Sequence, residues 1–142
     1  MKKYKIGYTN GVFDLLHVGH LQFLKRARTY CDYLIVAVCE DQLAYVNKGK
    51  FPIIPVEERM MLLEAIKYID KVVIQTTTDR VLEWNKYHFD VIFHGIDGKA
   101  WDIEHGYFDA LKKLGVDSVY FERLTNLSTS QIINKIMEEY TK

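Results

Sequence analysis

The pattern that most constrains the fold is an alternation of short β-branched and aromatic runs with longer segments of helical period. Strands are predicted at residues 5–10, 33–39, 71–75, 90–95 and 118–122, and helices at residues 18–29, 56–68, 79–87, 105–114 and 128–140. Repeated β-α units favour a parallel sheet whose two faces are both covered by helices. We therefore predict an α/β fold with a five-stranded parallel sheet, in one domain over residues 1–142.

Sequence signals mark the starts of two helices and set apart two long connections. Pro55 is expected in the first turn of its helix, with two glutamates following near the positive end of the helix dipole. The segment Ser128-Thr129-Ser130-Gln131 matches a capping box, in which the serine and glutamine side chains satisfy first-turn donors. Residues 40–54 and 95–104 are predicted to be long loops, and loops of this length in a compact domain are usually functional or mobile.

The charges of the chain balance, with 19 lysines and arginines against 19 aspartates and glutamates. No overall field therefore attracts nucleic acid or an acidic membrane, and any anion site has to be built locally. The longest apolar run, residues 33–39, is too short to span a bilayer, and the first residues lack an apolar signal core. We expect a cytoplasmic protein with no nucleic-acid or membrane partner, in which Cys31 and Cys39 are reduced packing residues.

The most polar and irregular segments follow three of the predicted strands. They are NGVFDLLHVGH after the first strand, HGIDGKAW after the fourth and RLTNLSTS after the fifth. The carboxyl ends of parallel strands meet at one edge of a sheet, and ligands bind there at the point where the strand order reverses. We therefore expect the functional residues to lie in these three segments.

Two histidines at the start of the first helix allow three interpretations. His17 and His20 are three residues apart and share a helix face, and Gly19 between them lets a ligand approach the backbone. With the amides of a helix start, their ring N–H groups would form a phosphate site. A metal site would need a third ligand, for which Asp14 is the candidate, although no H-E-x-x-H motif is present. The third interpretation is a helix start that merely contains histidines.

Further cations lie in or near the expected ligand edge. Lys48 and Lys50 belong to the first long loop, and Arg59 follows on the next helix, where it could instead pair with a neighbouring glutamate. Arg123 lies between the fifth strand and a capped helix, and guanidinium geometry suits phosphate oxygens. No G-x-G-x-x-G, P-loop or G-x-S-x-G motif occurs, so hydride transfer and serine hydrolysis are disfavoured.

Two segments carry a family resemblance that covers nearly the whole chain. GVFDLLHVGH resembles the G-x-F-D-x-x-H-x-G-H signature of the nucleotidyltransferase superfamily, and RLTNLSTSQII resembles its second signature, R-T-x-x-[IL]-S-T-[TS]. Within the superfamily the chain is most similar to the small cytidylyltransferases of the glycerol-3-phosphate type. The segment STSQIINKI is also similar to the choline-phosphate type, and TNGVFD and KGKFPIIPVEER are similar to adenylyltransferases that activate sugar phosphates.

The resemblance implies a Rossmann-like fold and a reaction in which a substrate phosphate attacks the α-phosphorus of a nucleoside triphosphate. Pyrophosphate leaves, and because the nucleophile is already anionic no general base is required. Catalysis then rests on positioning and on neutralising the charge of the triphosphate. The residues implied to carry catalysis are His17, His20, Lys48, Lys50 and Arg123.

The same resemblance implies the other site residues. Ser128 and Thr129 match hydroxyls and a helix start that bind the β- and γ-phosphates, Arg59 matches a phosphate-binding position, and Asp14 fixes the turn of the nucleotide loop. The remaining positions implied to contact the nucleotide are Thr9, Asn10, Gly11, Val12, Phe13, Gly19, Gly95 and Asp97. The family also implies Mg²⁺, held chiefly by phosphate oxygens rather than by a protein metal site.

The acceptor is implied less directly, because the chain departs from the family pattern in several places. Leu124 stands where the family usually has threonine, Ser130 replaces a common second threonine, and Ile96 stands where glycerol-phosphate enzymes usually carry an acid. Residues that could shape the acceptor pocket are His94, Lys99 and Trp101, with His105 nearby. We expect CTP and a small phosphorylated acceptor, with glycerol 3-phosphate first, as substrates of a homodimer.

Three other functions are kept as alternatives. An adenylyltransferase would act on a sugar phosphate with ATP, and a non-catalytic module would bind nucleotide without turnover. A metal-dependent hydrolase would contain stoichiometric zinc. Nucleotide preference, pyrophosphate release and metal content separate these functions.

Overall fold

Five parallel strands form the central sheet of the computed structural model, which describes residues 3–123 and 128–141. The strands are β1 (Tyr4–Gly11), β2 (Cys31–Cys39), β3 (Lys71–Gln75), β4 (Val91–Gly95) and β5 (Asp117–Phe121). They lie in the order β3-β2-β1-β4-β5, and every neighbouring pair is parallel. The predicted α/β fold with a five-stranded parallel sheet is therefore confirmed.

Helices connect the strands and pack on both faces of the sheet, as predicted. The α-helices of the described residues are α1 (Val18–Arg28), α2 (Asp41–Lys48), α3 (Val56–Glu64), α4 (Arg80–Tyr87), α5 (Lys99–Glu104), α6 (Tyr107–Lys113) and α7 (Thr129–Tyr140). A 3₁₀ turn, Ile96–Gly98, precedes α5. None of the helices in the described part of the chain is long and apolar enough to cross a membrane.

Strand β2 supplies both halves of the hydrophobic core. Its residues alternate between the two faces, because successive side chains of a strand point in opposite directions. Leu34, Val36 and Val38 pack in a cluster with Leu24 and Ala27 of α1 and Leu63 of α3. Ile35 and Ala37 pack in a second cluster with Phe89, Ile92 and Leu111. The sheet is thus buried on both sides, which explains the continuous apolar run of β2.

The strand order reverses between β1 and β4. The chain winds outward from β1 through β2 to β3, and then returns to place β4 on the other side of β1. Gly7 allows this close approach, because an added Cβ would lie 2.7 Å from Phe93 of β4 and 2.6 Å from Cys31. The carboxyl ends of β1 and β4 therefore form the switch point where open α/β sheets bind ligands.

The two connections predicted as loops contain helices. Helix α2 fills much of 40–54 and ends at Gly49 in a left-handed conformation, whereas the 3₁₀ turn and α5 fill 95–104. Each of these two helices buries a single residue, Ala44 in α2 and Asp102 in α5, so neither shows an apolar period in the sequence.

Two other helix boundaries differ from the prediction by more than one residue. Helix α3 ends at Glu64 rather than at residue 68, and Pro55 is its N-cap rather than a first-turn residue. The helix predicted from residue 105 begins at Tyr107. Gly106 adopts a left-handed conformation (φ 76°), which separates helix α5 from helix α6.

Candidate active site

Three adjoining cavities follow the carboxyl edge of the sheet. The helix cavity, about 230 Å³, lies between the starts of α1 and α7 and is lined by His17, His20, Arg123, Ser128 and Thr129. The central cavity, about 580 Å³, lies over the end of β1 and is lined by residues that include 9–14, His20, Lys48 and Lys50. The distal cavity, about 570 Å³, lies beyond it and is lined by residues that include Asn10, Arg80, His94, Asp97, Trp101 and Asp102. Gly95 lines all three.

The two signature histidines cap helix α1. His17 is the N-cap residue, and its Nδ1 accepts a hydrogen bond from the amide of Gly19 at 3.0 Å. The Nδ1 atom of His20 accepts from the amide of His17 at 3.2 Å, so the pair forms a reciprocal capping box. The two rings are in contact, with centroids 3.9 Å apart and planes inclined by 31°. The sequence left open whether these histidines cap the helix or line a ligand site. In the structure they cap the helix and also line the helix cavity.

Capping also decides which nitrogen each ring can offer to a ligand. Burial lowers the pKa of His17, and burial together with the nearby His17 ring lowers the pKa of His20 to about 4. Both rings are therefore neutral at pH 7. A neutral imidazole whose Nδ1 accepts a hydrogen bond carries its proton on Nε2. Each histidine can thus present an Nε2–H donor to an anion without changing its protonation state.

A second helix start faces the same cavity. Ser128 is the N-cap of α7, and its Oγ accepts from the amide of Gln131 at 3.1 Å, which is the serine half of the predicted capping box. The hydroxyl of Thr129 donates to the carbonyl of Asp14 at 2.9 Å and so ties α7 to the turn that precedes α1. Two positive helix ends therefore converge on the helix cavity, an arrangement that favours anions. Leu124, a departure from the family signature, lies outside the described residues.

Asp14 organises the turn and is not a free metal ligand. Its carboxylate accepts from the amides of Leu15 (3.1 Å), Ile53 (2.8 Å) and Ile54 (3.0 Å). The expectation that Asp14 fixes the nucleotide loop is consistent with these bonds, whereas the metal interpretation loses its third ligand. Within residues 3–123 and 128–141, no group of three His, Cys, Asp or Glu side chains is arranged to hold a metal ion.

Arg59, expected at a phosphate, is placed inside the protein instead. The residue is 1% exposed, and its guanidinium donates to the carbonyls of Val12 (2.7 Å), Cys39 (2.8 Å) and Ile54 (2.8 Å). It also pairs with Asp41 at 2.5 Å rather than with a glutamate of its own helix. Arg59 lines none of the three cavities, and we correct its assignment to a residue that positions the loops around the site.

The other predicted cations differ in how they meet the cleft. Lys48 lines the central and distal cavities, whereas Lys50 lines the central cavity alone. Arg123 lines the helix cavity and lies 3.4 Å from the carboxylate of Asp97, with both side chains well exposed. Lys99 lines none of the three cavities, because its ammonium lies over the rings of Tyr120 (5.6 Å) and Phe108 (6.0 Å).

The end of β1 forms the floor of the central cavity. The hydroxyl of Thr9 donates to the carbonyl of Phe93 at 2.7 Å and so joins β1 to β4 beneath the cleft. Gly11 leaves space for the ring of Phe13, since an added Cβ would lie 3.0 Å from that ring. Phe13 is buried, has a positive φ of 53° and contacts the edge of the His20 ring at 5.5 Å between centroids. The structure brings these residues and Val12 together around the central cavity.

A buried polar network that sequence reasoning missed surrounds the distal cavity. The amide of Asn10 donates to Glu83 at 3.1 Å, and its carbonyl oxygen lies 3.1 Å from Nε2 of His94. Arg80 lies 3.7 Å from Glu83 and 3.6 Å from Asp102, which also accepts from the hydroxyl of Tyr120 at 2.7 Å. Arg80 and Glu83 gave no signal, because charged residues on a short helix are ordinarily exposed.

Burial alters the charges of this network. It lowers the pKa of His94 to about 3 with help from the positive charge of Arg80, so His94 is neutral at pH 7. Burial also raises the pKa of Glu83 to about 8, which favours its protonated form. His94 and Trp101, predicted to shape an acceptor pocket, both line the distal cavity.

Known proteins with similar sequences share this whole domain. The chain is 36% identical over 132 residues to glycerol-3-phosphate cytidylyltransferase of Bacillus subtilis, covering 90% of this chain and 94% of the relative. It is 38% identical over 137 residues to FAD synthase of Thermococcus kodakarensis, covering 92% and 90%. It is 36% identical over 141 residues to ethanolamine-phosphate cytidylyltransferase of Dictyostelium discoideum, but the chain spans only 38% of that relative's length.

The fold and the family are also shared with known domains. The structure of a lipopolysaccharide core biosynthesis protein from Thermoplasma volcanium superimposes with a TM-score of 0.70 and 30% identity, covering 88% of this chain and 99% of that one. The family model for cytidylyltransferase-like domains matches residues 8–135, a span that includes both helix starts and the whole sheet edge between them. The chain therefore belongs to the cytidylyltransferase-like family of Rossmann-like nucleotidyltransferases.

Proposed function

We propose that this protein transfers CMP from CTP to a small phosphorylated acceptor and releases pyrophosphate. The observation that carries the proposal is the convergence of two capped helix starts, with two neutral histidines, on one cavity at the switch point of the sheet. A chain without net charge gains a local site for a polyanion in this way. Membership of the cytidylyltransferase-like family supports the same reaction class.

The geometry supports a mechanism of positioning and charge neutralisation. The acceptor phosphate is already a nucleophile, so the histidines act as donors of hydrogen bonds rather than as bases. Their Nε2–H groups stabilise the charge that develops on the phosphates, because fixed donors need no reorganisation during the reaction. Ser128 and Thr129 receive the β- and γ-phosphates at the start of α7, and Lys48, Lys50 and Arg123 offset the remaining charge.

Magnesium belongs to the proposal as a companion of the triphosphate. Mg²⁺ prefers oxygen ligands and commonly binds through phosphates with few protein groups. The carboxylate of Asp14 is occupied by three backbone amides, which fits a metal held by the nucleotide rather than by the protein. When bound, the ion neutralises charge on the triphosphate oxygens.

The nucleotide and the acceptor are the finer parts of the proposal. Relatives named cytidylyltransferase favour CTP, and glycerol 3-phosphate is the first acceptor because that relative spans the same domain. Relatives named FAD synthase favour an adenylyltransferase as the second candidate, since FAD contains an adenine nucleotide. A homodimer in the cytoplasm stays a prediction, which gel filtration with light scattering and cell fractionation would test.

Pyrophosphate release provides the direct test. The protein is incubated with Mg²⁺, with CTP or ATP, and with a panel of small phosphates, and the nucleotide product is identified by mass spectrometry. We expect release with CTP and a phosphorylated acceptor, and none without acceptor. Release with ATP alone among the nucleotides would favour the adenylyltransferase. Nucleotide binding by thermal shift with no turnover on any acceptor would instead indicate a non-catalytic module.

A further inference from the structure

The distal cavity offers a head-group site on the far side of the cleft from the histidines. It shares Asn10, Lys48 and His94 with the central cavity, whereas the helix cavity shares only Gly95 with it. If the nucleotide phosphates occupy the helix starts, as the proposed function requires, an acceptor enters with its phosphate near Lys48. The rest of the acceptor then lies in the distal cavity, and its lining decides which head groups fit.

Arg80 lines this cavity with hydrogen-bonding capacity that the protein does not use. The residue is 9% exposed, yet its Nε has no hydrogen-bond partner in the part of the chain that the structure describes. The nearest carboxyl oxygens, of Glu83 at 3.7 Å and Asp102 at 3.6 Å, lie farther from the guanidinium than a hydrogen bond allows. Buried guanidinium donors are normally satisfied, so a group with this geometry at a cavity wall is suited to an oxygen-bearing ligand.

The groups around Arg80 do not cancel its charge completely. The pKa of Glu83 is raised to about 8 by burial, so this carboxyl is largely protonated at pH 7, and it accepts a bond from Asn10. Asp102 is the other carboxyl group beside Arg80, and one of its oxygens accepts from the hydroxyl of Tyr120 at 2.7 Å. Two further groups face the cavity: Lys48 adds positive charge, and the exposed Asp97 lies beside Arg123. A second cation in this cavity would have to share the buried carboxylate of Asp102 with Arg80 and Tyr120.

Trp101 does not provide an open aromatic face for a cation either. The guanidinium carbon of Arg80 lies 5.4 Å from the centre of the indole, so Arg80 makes the cation–π contact that an ammonium ligand would need. The indole also stacks on His105, with centroids 4.0 Å apart. An ammonium head group would therefore compete with Arg80 and His105 for the indole of Trp101, and with Arg80 and Tyr120 for the carboxylate of Asp102.

We propose that Arg80 binds the head group of the acceptor through oxygen atoms, so that the enzyme selects hydroxyl- or carboxylate-bearing phosphates and rejects phosphorylated amino alcohols. This assignment rests on the proposed function for the place of the acceptor phosphate. It separates this chain from its relative that acts on ethanolamine phosphate, and it makes Arg80 a specificity-determining residue.

Binding without nucleotide tests the selectivity independently of turnover. Three probes share a phosphate and differ in the head group: glycerol 3-phosphate, 2-phosphoglycolate and phosphoethanolamine, the last two matched at two carbons. We expect larger thermal shifts with the first two probes in the wild-type protein. Equal shifts with all three, or no shift with the oxygen-bearing probes, would overturn the assignment whether or not the protein proves to be a nucleotidyltransferase.

Kinetics of Arg80 variants test the residue itself. Arg80→Gln should lower kcat/KM for the best oxygen-bearing acceptor by on the order of 10- to 100-fold, mainly through KM, with the KM for nucleotide unchanged. Arg80→Lys keeps the charge and should recover part of the loss. Arg28→Gln is the matched control, because Arg28 also pairs with an aspartate, Asp70 at 2.9 Å, but lines none of the three cavities.

The outcomes separate the two proposals. If the Gln and Lys variants bind nucleotide as the wild type does but retain full kcat/KM for the oxygen-bearing acceptor, Arg80 is only a structural ion-pair partner and the inference fails. If phosphoethanolamine is the preferred acceptor, the proposed function stands and the inference fails. If no acceptor is turned over, the proposed function fails, and the nucleotide-free shifts of the wild-type protein still decide the head-group selectivity.

Discussion

The two ends of the cleft are built by contacts of opposite range. At the helix cavity the capping hydrogen bonds join residues two or three positions apart within α1 and α7, and one bond between residues 115 positions apart, from Thr129 to the carbonyl of Asp14, brings the two helix starts together. At the distal cavity Asn10 bonds to Glu83, 73 positions away, and lies beside His94, 84 positions away. Each helix start is thus formed by a short segment and only their meeting needs the tertiary fold, whereas the distal network itself consists largely of long-range contacts.

The two ends of the cleft also differ in the chemical groups that they offer to a ligand. Helix starts and caps provide backbone amides and neutral rings, which suit any phosphate. The distal network instead combines buried charges whose protonation depends on several elements at once, and such a network can distinguish one head group from another. The helix starts that would bind any phosphate are therefore each formed by a local segment, whereas the network that would select the acceptor is formed by long-range contacts.

Arg59 gives the largest expected effect, because it joins Val12, which lines the central and distal cavities, to distant segments. We expect Arg59→Met to lower the free energy of unfolding by about 3 kcal/mol or more, since it removes three hydrogen bonds to carbonyls and leaves Asp41 without its partner. Urea unfolding measures the loss. Arg28→Met, at a partly exposed ion pair, is the control and should cost about 1 kcal/mol or less. Equal losses would show that the loops around the central and distal cavities do not depend on Arg59.

Two substitutions of His17 separate its cap from its role at a phosphate. Asparagine is a good N-cap residue but lacks the Nε2–H donor, whereas alanine lacks both. We expect both variants to lose on the order of a hundredfold in turnover, about 3 kcal/mol, and only His17→Ala to lose about 1 kcal/mol of stability as well. Turnover and thermal unfolding are measured on the same preparations. Wild-type turnover in His17→Asn would reduce the histidine to a cap.

The pH dependence of stability sharpens the comparison at the distal end. His94 has a pKa of about 3 in the folded protein and about 6.5 when unfolded, so the unfolded state binds more protons between these values. Its contribution is complete above pH 6.5 and is lost progressively as the pH falls towards 3. Between pH 7 and pH 5 the loss is about 2 kcal/mol from this group.

His20 acts in the same direction, because its pKa of about 4 also lies below the unfolded value. Glu83 acts in the opposite direction, because its pKa of about 8 lies above the unfolded value and the folded state gains stability as the pH falls. A His94→Asn variant should therefore differ from the wild type by the contribution of His94 alone and be less sensitive to acid. Urea titrations at pH 7 and pH 5 measure both proteins. Identical pH slopes in the variant and the wild type would show that His94 is not held neutral by burial.

What could be predicted from the sequence follows the same division. The sequence predicts the β-α order, the ligand edge and the two helix starts, because the apolar period and the capping residues act over a few positions. The role of Arg59 was assigned incorrectly, since its partners lie up to 47 positions away. Arg80 and Glu83 were overlooked for the same reason: their burial depends on how α4 and α5 meet over β4, which no local pattern records.

Substitution of Ser128 gives the smallest expected effect. It tests whether the start of α7 is stabilised mainly by its own cap. Ser128→Ala removes the acceptor for the amide of Gln131 and should cost about 1 kcal/mol, whereas Ser128→Asn keeps a cap and should restore the wild-type melting temperature. The serine hydroxyl can also donate its own hydrogen to a phosphate oxygen, which the larger amide offers from a different position. We therefore expect Ser128→Asn to stay a few-fold below wild type in turnover, and an asparagine variant that recovers both stability and rate would confine Ser128 to capping and leave Thr129 and the backbone amides to bind the phosphates.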